Sequence, residues 1–364
     1  MNGMHVKRSL TVAHFLRPNV LIPLAFGLAL VFGVLALGDV RRVGRAIASI
    51  DHAALAIAVL LLLLYLAMRG AQWYLFLCVM HVPLTPRQAA VAFAGGEATE
   101  SLPVGVYFAN YLLERETSAP IAYTAAATLV GILLEVACCC LYLAVVGIPT
   151  WSWLRPLIIG GLAVFVGLLG IWNVVGRRLR LPRAMAMHPR AHWLANQVHY
   201  FAVGARRLRA PRVLLAGFAL STVALAASGS AYAILLRGVG AGGVSYWYAI
   251  AAYLFGLGSG LILPTPTELG VSELTGLGAL RAAGAPVTEA AATVLLFRLL
   301  LMGTVILAAL VTFLVMRHEV AMLFGPPALS RAGRAVNAPE RTARRPRGHR
   351  RRSWPPKGAC PRSR

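Results

Sequence analysis

Eight of the twelve acidic residues in this chain lie in or beside long apolar runs: Glu97, Glu100, Glu114, Glu116, Glu135, Glu268, Glu273 and Glu289. Three arginines, Arg69, Arg115 and Arg298, lie in such runs as well. A charged side chain at the centre of a membrane helix costs roughly 2.5–3.5 kcal/mol on insertion scales. Charges of both signs at such positions therefore predict pairing around a wet chamber between helices. The chemistry available there is binding: Arg69 and Arg298 suit a phosphate or another anionic group, while Glu97, Glu100, Glu135 and Glu273 balance them or meet a cationic group. Pro264, Pro266 and Gly270 break the backbone beside Glu273, and helix ends exposed at such a break can receive an anion on their N–H side. These nine residues are the expected substrate path. No catalytic residue, cofactor or metal site is expected.

Each charge also has a structural role to weigh. Thr265-Pro266-Thr267-Glu268 has the T-x-x-E form of a capping box with proline at the first helical position. Glu289 follows Pro286 in a first helical turn, where a negative charge suits the helix dipole. Glu114, Arg115 and Glu116 fit an interfacial cluster facing headgroups. Glu135 and Arg298 lie deepest in their runs and fit a buried pair. Cys138, Cys139 and Cys140 are consecutive, so on a helix they point about 100° apart and cannot share one metal geometry; they read as small hydrophobes, like Cys78. His188, His192 and His199 are too irregularly spaced for a ligand set.

The elements that must hold these residues are membrane helices. The chain has 364 residues, 59% hydrophobic and 13% charged, with a mean hydropathy of +0.71, against about 25% charged in soluble domains. Apolar runs near 20 residues, enough to cross a ~30 Å core, cover about 19–38, 53–80, 121–147, 153–175, 213–236, 245–263 and 287–316. Two further segments, 95–105 and 258–273, are broken by Gly and Pro and carry two Glu each, one segment in each half. The fold class expected is an all-α polytopic membrane protein of seven to eight transmembrane helices with two broken or re-entrant segments and an internal repeat, its site between the breaks. An extra crossing by Leu269–Ala283 would bring the C-terminal tail to the same side as the N-terminus. Trp73, Trp151, Trp153 and Trp247 fall near span ends as an aromatic belt.

Charge orients the chain. The formal net charge is +23, and it collects in two stretches. Arg177–Arg212 holds nine arginines and no acid, and Arg317–Arg364 holds thirteen Lys and Arg against Glu319 and Glu340. Such runs can bind nucleic acid, but the positive-inside rule accounts for them as a cytoplasmic loop and tail, which would also attract anionic phospholipid headgroups. The domain plan is a cytoplasmic N-terminus over 1–18, a transmembrane domain over 19–316 with an Arg-rich cytoplasmic loop at 177–212, and a basic disordered tail over 317–364. Lys7, Arg8 and Arg17 precede the first run without a convincing cleavage site, which reads as an uncleaved first span. The localisation expected is a bacterial inner membrane, multi-pass.

Pro264, Pro266, Leu269, Gly270 and Glu273, with Arg298 in the following span, match the P-x-P-G-G-L-G-x-x-E signature of a known family. Gly96-Glu97, Leu102-Pro103 and Glu114-Arg115 resemble an element of its first half. On these residues the chain resembles the lysylphosphatidylglycerol synthase transmembrane family, also called flippase-like, over most of 19–316. Thr267 and Glu268 stand where the family has Gly-Gly, which removes backbone freedom and adds a charge. The family's synthases carry a large soluble aminoacyl-transfer domain that the C-terminal tail cannot hold.

The resemblance implies a flippase-like protein that translocates the headgroup of a lipid or lipid-linked glycan, with that lipid as partner. No Walker motif, nucleophile elbow or HExxH is present, which argues against an enzyme and against an ATP-driven pump. Two alternatives fit the same residues: a membrane-embedded transferase acting on an isoprenoid or phospholipid carrier, and a non-catalytic envelope-lipid assembly factor.

Overall fold

The computed structural model describes residues 40–99, 107–117, 119–147, 189–262 and 270–324, and every regular element among them is a helix. In chain order these are α1 (Val40–Ala48), α2 (His52–Val79), α3 (Pro86–Thr99), α4 (Phe108–Thr117), α5 (Ile121–Tyr142, widening into a π turn at Leu143–Gly147), α6 (Pro189–Arg207), α7 (Pro211–Gly238), α8 (Tyr246–Ile262), α9 (Val271–Ala282), α10 (Val287–Val315) and α11 (Arg317–Phe324). Four of them, α2, α5, α7 and α10, are long and apolar enough to cross a membrane. At 1.5 Å per residue the 28 residues of α2 reach about 42 Å, more than a ~30 Å core needs. The expected spans at 19–38 and 153–175 lie outside the described residues.

Helix α2 starts at Asp51, whose carboxylate accepts the Ala53 N–H at 3.1 Å, and it continues through Arg69, Gln72 and Trp73 without interruption. It ends in a Schellman turn: His81 takes a positive φ of 60°, and the Val82 N–H reaches back to the Leu77 carbonyl. Helix α7 ends in the same way, with Gly240 at φ 101° and the Ala241 N–H on the Leu236 carbonyl. The two helices share the most extensive contact among the described helices and run antiparallel. A Cβ on Gly217, near the start of α7, would fall 2.6 Å from the Phe76 ring near the end of α2. Gly238, at the end of α7, lies against Ile50 and Ala54 at the start of α2. Small residues give membrane helices this close approach. Between these points Gln72 Nε2 donates to the Gly217 carbonyl at 3.0 Å and to Ser221 Oγ at 2.8 Å, so the α2 amide is held by α7.

The Gly- and Pro-containing segment 95–105 starts in α3 and ends before α4. Helices α3 and α4 fold back on each other, and α8 and α9 do the same. The first hairpin closes where Gly96 meets Ala109, and the second where Gly256 meets Ser272 and Gly276. The hairpins open toward opposite ends of the α2–α7 pair. Near one end Met80, Val82, Ala89, Leu113, Ala205, Leu208 and Leu323 share a core, and near the other Val43, Val239, Val244 and Ala285 share one. Helix α9 accordingly runs back beside α8 toward the end from which α8 set out.

Both basic stretches contain helix. Residues 189–207 of the expected Arg-rich loop are helical, because apolar residues at helical spacing, Phe201, Ala205 and then Leu208, pack into the core. A side chain on Gly204 would meet the Tyr123 carbonyl at 2.6 Å, so α6 crosses α5 in direct contact. The Met80 carbonyl accepts both the Tyr123 hydroxyl at 2.6 Å and Arg207 Nη1 at 2.7 Å, tying α6 and α5 to the end of α2. The expected disordered tail, in turn, begins with a helix: α11 packs on α3 and α4 with Leu323 buried, and Arg87 faces Glu319 at 3.7 Å.

Candidate functional site

Arg69 sits on α2 one helical turn after Tyr65, and three helices converge on it. Its Nη1 lies 3.3 Å from Glu97 Oε2 on α3, and its Nη2 lies 4.0 Å from Glu135 Oε2 on α5. Nη1 also donates to the Tyr65 hydroxyl at 2.9 Å, with the guanidinium carbon 5.5 Å from the centre of that ring. The three charged side chains are 20%, 11% and 10% exposed, so the cluster is mostly withdrawn from its surroundings. Among the described residues the cluster sets one cation between two carboxylates.

The position of Glu97 follows from the hairpin. Gly96 lets α3 press on Ala109, and the next residue is carried toward α2. A cleft of about 60 Å³ opens beside the cluster, lined among others by Gln72, Trp73, Phe93 and Thr128, with room for a few waters at ~10–15 Å³ each. Thr128 Oγ1 accepts from Trp73 Nε1 at 3.3 Å and from Asn110 Nδ2 at 3.0 Å. Asn110 Oδ1 is buried and has no hydrogen-bond partner among the described residues.

A second pair lies in the other hairpin. Glu273 Oε1 stands 3.4 Å from Arg298 Nε on α10. The other carboxylate oxygen accepts the Gly270 N–H at 2.6 Å and the Ser272 hydroxyl at 2.8 Å. Gly270 is the residue before α9, at φ 95°, and Glu273 is its N3 residue, so the carboxylate both starts the helix and holds the arginine. Tyr232, Tyr253 and Phe297 pack between the two clusters with ring centres 5.1–5.5 Å apart. Tyr253 lies within electrostatic reach of Glu135 and Arg69, and Tyr232 within reach of Glu273.

Of the expected path residues, Arg69, Glu97 and Glu135 come together, and Gly270, Glu273 and Arg298 form the second group. Glu100, Pro264 and Pro266 lie outside the described residues, as does the Thr265–Glu268 capping box. Glu135 and Arg298, weighed above as a buried pair, each meet another partner: Glu135 faces Arg69 and Arg298 faces Glu273. Glu114 accepts the Ile121 N–H at 3.4 Å at the start of α5. Glu289 lies in the first turn of α10, and its Oε2 is buried without a hydrogen-bond partner among the described residues. Tyr65, Asn110 and Thr128 were not expected at the site. An uncharged polar residue in an apolar stretch is the signal that Asn110 and Thr128 left.

A family model described as the lysylphosphatidylglycerol synthase TM region matches residues 20–316. The chain belongs to this family. It is thus a membrane protein of a family involved in lipid handling. A search of curated proteins found no match. Within this lysylphosphatidylglycerol synthase TM region the G-E element places Gly96 at the hairpin crossing and Glu97 on Arg69. The G-x-x-E end of the second motif is the Gly270–Glu273 helix start.

Proposed function

We propose that this protein is a flippase-like translocase that passes the headgroup of a lipid or lipid-linked glycan across a bacterial inner membrane while the tails stay in the bilayer. The observation that carries the reading is Arg69 held between Glu97 and Glu135, three charges from three helices in the body of a membrane domain. Such charges are retained where a polar ligand or ion passes, and an anionic headgroup would compete with the carboxylates for Arg69. The cleft beside the cluster is small, so the hairpins must part to admit a headgroup.

The order and spacing of the helices fit an internal repeat, which would support this reading. Helices α2–α5 and α7–α10 follow the same order of span, hairpin and span, and their features recur at nearly constant separation. His81 and Gly240 take the same turn 159 residues apart, and the helical residues Trp73 and Tyr232 have the same separation. Gly96 and Gly256 close the hairpins 160 residues apart. Trp73 packs on Phe93 as Tyr232 packs on Tyr253, also 160 residues on. Because α2 and α7 are antiparallel, the second unit is inverted, the arrangement in which transporter sites lie between repeats. Arg206, Arg207, Arg209 and Arg317 fall at one end of the bundle, the cytoplasmic end by the positive-inside rule, and would hold anionic phospholipid headgroups there.

The test is to purify the protein gently and identify co-purifying lipids by mass spectrometry for wild type, Arg69→Ala and Arg298→Ala. Enrichment of one lipid class that is lost in the variants supports the reading. A lipid pool equal to the bulk membrane in all three overturns it.

A further inference from the structure

A second cavity, about 410 Å³, lies between α2, α3 and α10 and shares Phe93 and Glu97 with the cleft at Arg69. Its walls are apolar and mostly small, among them Leu66, Ala67, Ala90, Ala94 and Ala308, and Glu97 is the one charged residue among the described residues that line it. The volume falls within the ~300–1,000 Å³ of small-molecule sites. Along α3 the groove runs from Pro86 to Glu97, about 16 Å at 1.5 Å per residue, roughly one leaflet of a ~30 Å core. Two of its walls are membrane-crossing helices, so hydrocarbon is what surrounds it. An apolar trough that ends on a charged cleft matches the two parts of an amphiphile.

We propose that this groove seats a hydrocarbon chain of the lipid whose headgroup occupies the Arg69–Glu97–Glu135 cluster. The assignment rests on the translocase reading and adds where the chain lies during transit. A chain entering the groove exchanges one apolar medium for another, so it gains packing contacts and little hydrophobic free energy. The groove therefore fixes the chain's position more than it raises affinity. Small residues along α2, α3 and α10 leave room for the chain, and Phe93 stands where chain and headgroup join.

The test uses the full-length protein in vesicles of phosphatidylethanolamine and phosphatidylglycerol, doped with phosphatidylglycerol that carries a diazirine in its acyl chain. After photolysis, labelled residues are mapped by mass spectrometry. The expected result is label on Ala89–Ala94 and on Val305–Ala309 about fivefold or more above that on the exposed Leu60 and Leu215, and lost to a similar degree in Ala308→Trp, which overfills the groove. Ala90→Leu narrows the same groove from α3 and should reduce the label in a milder way. Label no stronger in the groove than at Leu60 overturns the proposal. So does absence of label there because residues 20–37 or a second copy of the chain fill the groove. Groove label retained in Arg69→Ala supports the chain site and counts against the headgroup reading. Loss of translocation in Arg69→Ala with no groove label does the reverse.

Discussion

Gly96 and Ala109 touch so closely that a Cβ on Gly96 would lie 2.8 Å from the Ala109 Cβ and 3.4 Å from its backbone nitrogen. Neither neighbour is the end of a flexible side chain, so a larger residue must push α3 and α4 apart. Glu97, the next residue, would move with α3 and leave Arg69. Gly96→Leu is expected to cost about 1–3 kcal/mol through overpacking and to abolish most translocation. Ala98→Leu, at an exposed position on the same helix, should leave both unchanged. Thermal unfolding in detergent and a vesicle translocation assay measure the two effects.

Removing the cation of the first cluster leaves two carboxylates with no charge between them. Arg69→Ala is expected to destabilise the protein by about 3–5 kcal/mol, as when one partner of a buried pair is lost. Adding Glu97→Gln and Glu135→Gln to an Arg69→Met variant should recover most of that stability, since no uncompensated charge remains. Translocation should stay lost in the triple variant. Recovery of translocation with stability would show that the cluster only holds the helices together.

The two roles of Glu273 can be separated by chemistry. Glutamine retains the side-chain acceptor for the Gly270 N–H but gives up the charge that faces Arg298. Glu273→Gln should therefore keep most of the helix start, and Glu273→Ala should cost about 1 kcal/mol more through the lost cap. Both should impair translocation alike. If the glutamine variant translocates normally, Glu273 acts as a cap alone.

The antiparallel packing of α2 and α7 places Arg206 and Arg317 at one end of the bundle and His52 at the other. In a cysteine-free background, Arg206→Cys and Arg317→Cys should react with a membrane-impermeant maleimide from the same side. His52→Cys should react from the opposite side. Labelling of Arg206→Cys and Arg317→Cys from different sides would contradict the hairpin geometry of α8 and α9.

Four of the expected spans were legible because a helix facing lipid must be apolar around its circumference, which leaves a plain run in the sequence; the run at 245–263, also expected to span, is instead α8, one arm of a hairpin. The hairpins were legible from Gly and Pro, and the charged site from the cost of each charge in an apolar run. Which charge meets which was not legible. Glu135 and Arg298 are both deep in their runs, and only the hairpin geometry assigns Glu135 to Arg69 and Glu273 to Arg298. Asn110 and Thr128 passed unnoticed because an uncharged polar side chain costs far less in a membrane helix than a charge does. Helix α6 was hidden because a count of arginines does not register the spacing of Phe201, Ala205 and Leu208.

The opposed hairpins have one more consequence. Among the described helices, turning the bundle end over end would present much the same backbone: a span, a folded-back pair closed on a glycine, and a second span. On the translocase reading proposed above, such a scaffold would be close to indifferent to direction. Vectorial behaviour would then reside in the side chains that differ, with Arg69, Glu97 and Glu135 beside one hairpin, and Tyr232, Tyr253 and Phe297 packed near Glu273 and Arg298 at the other.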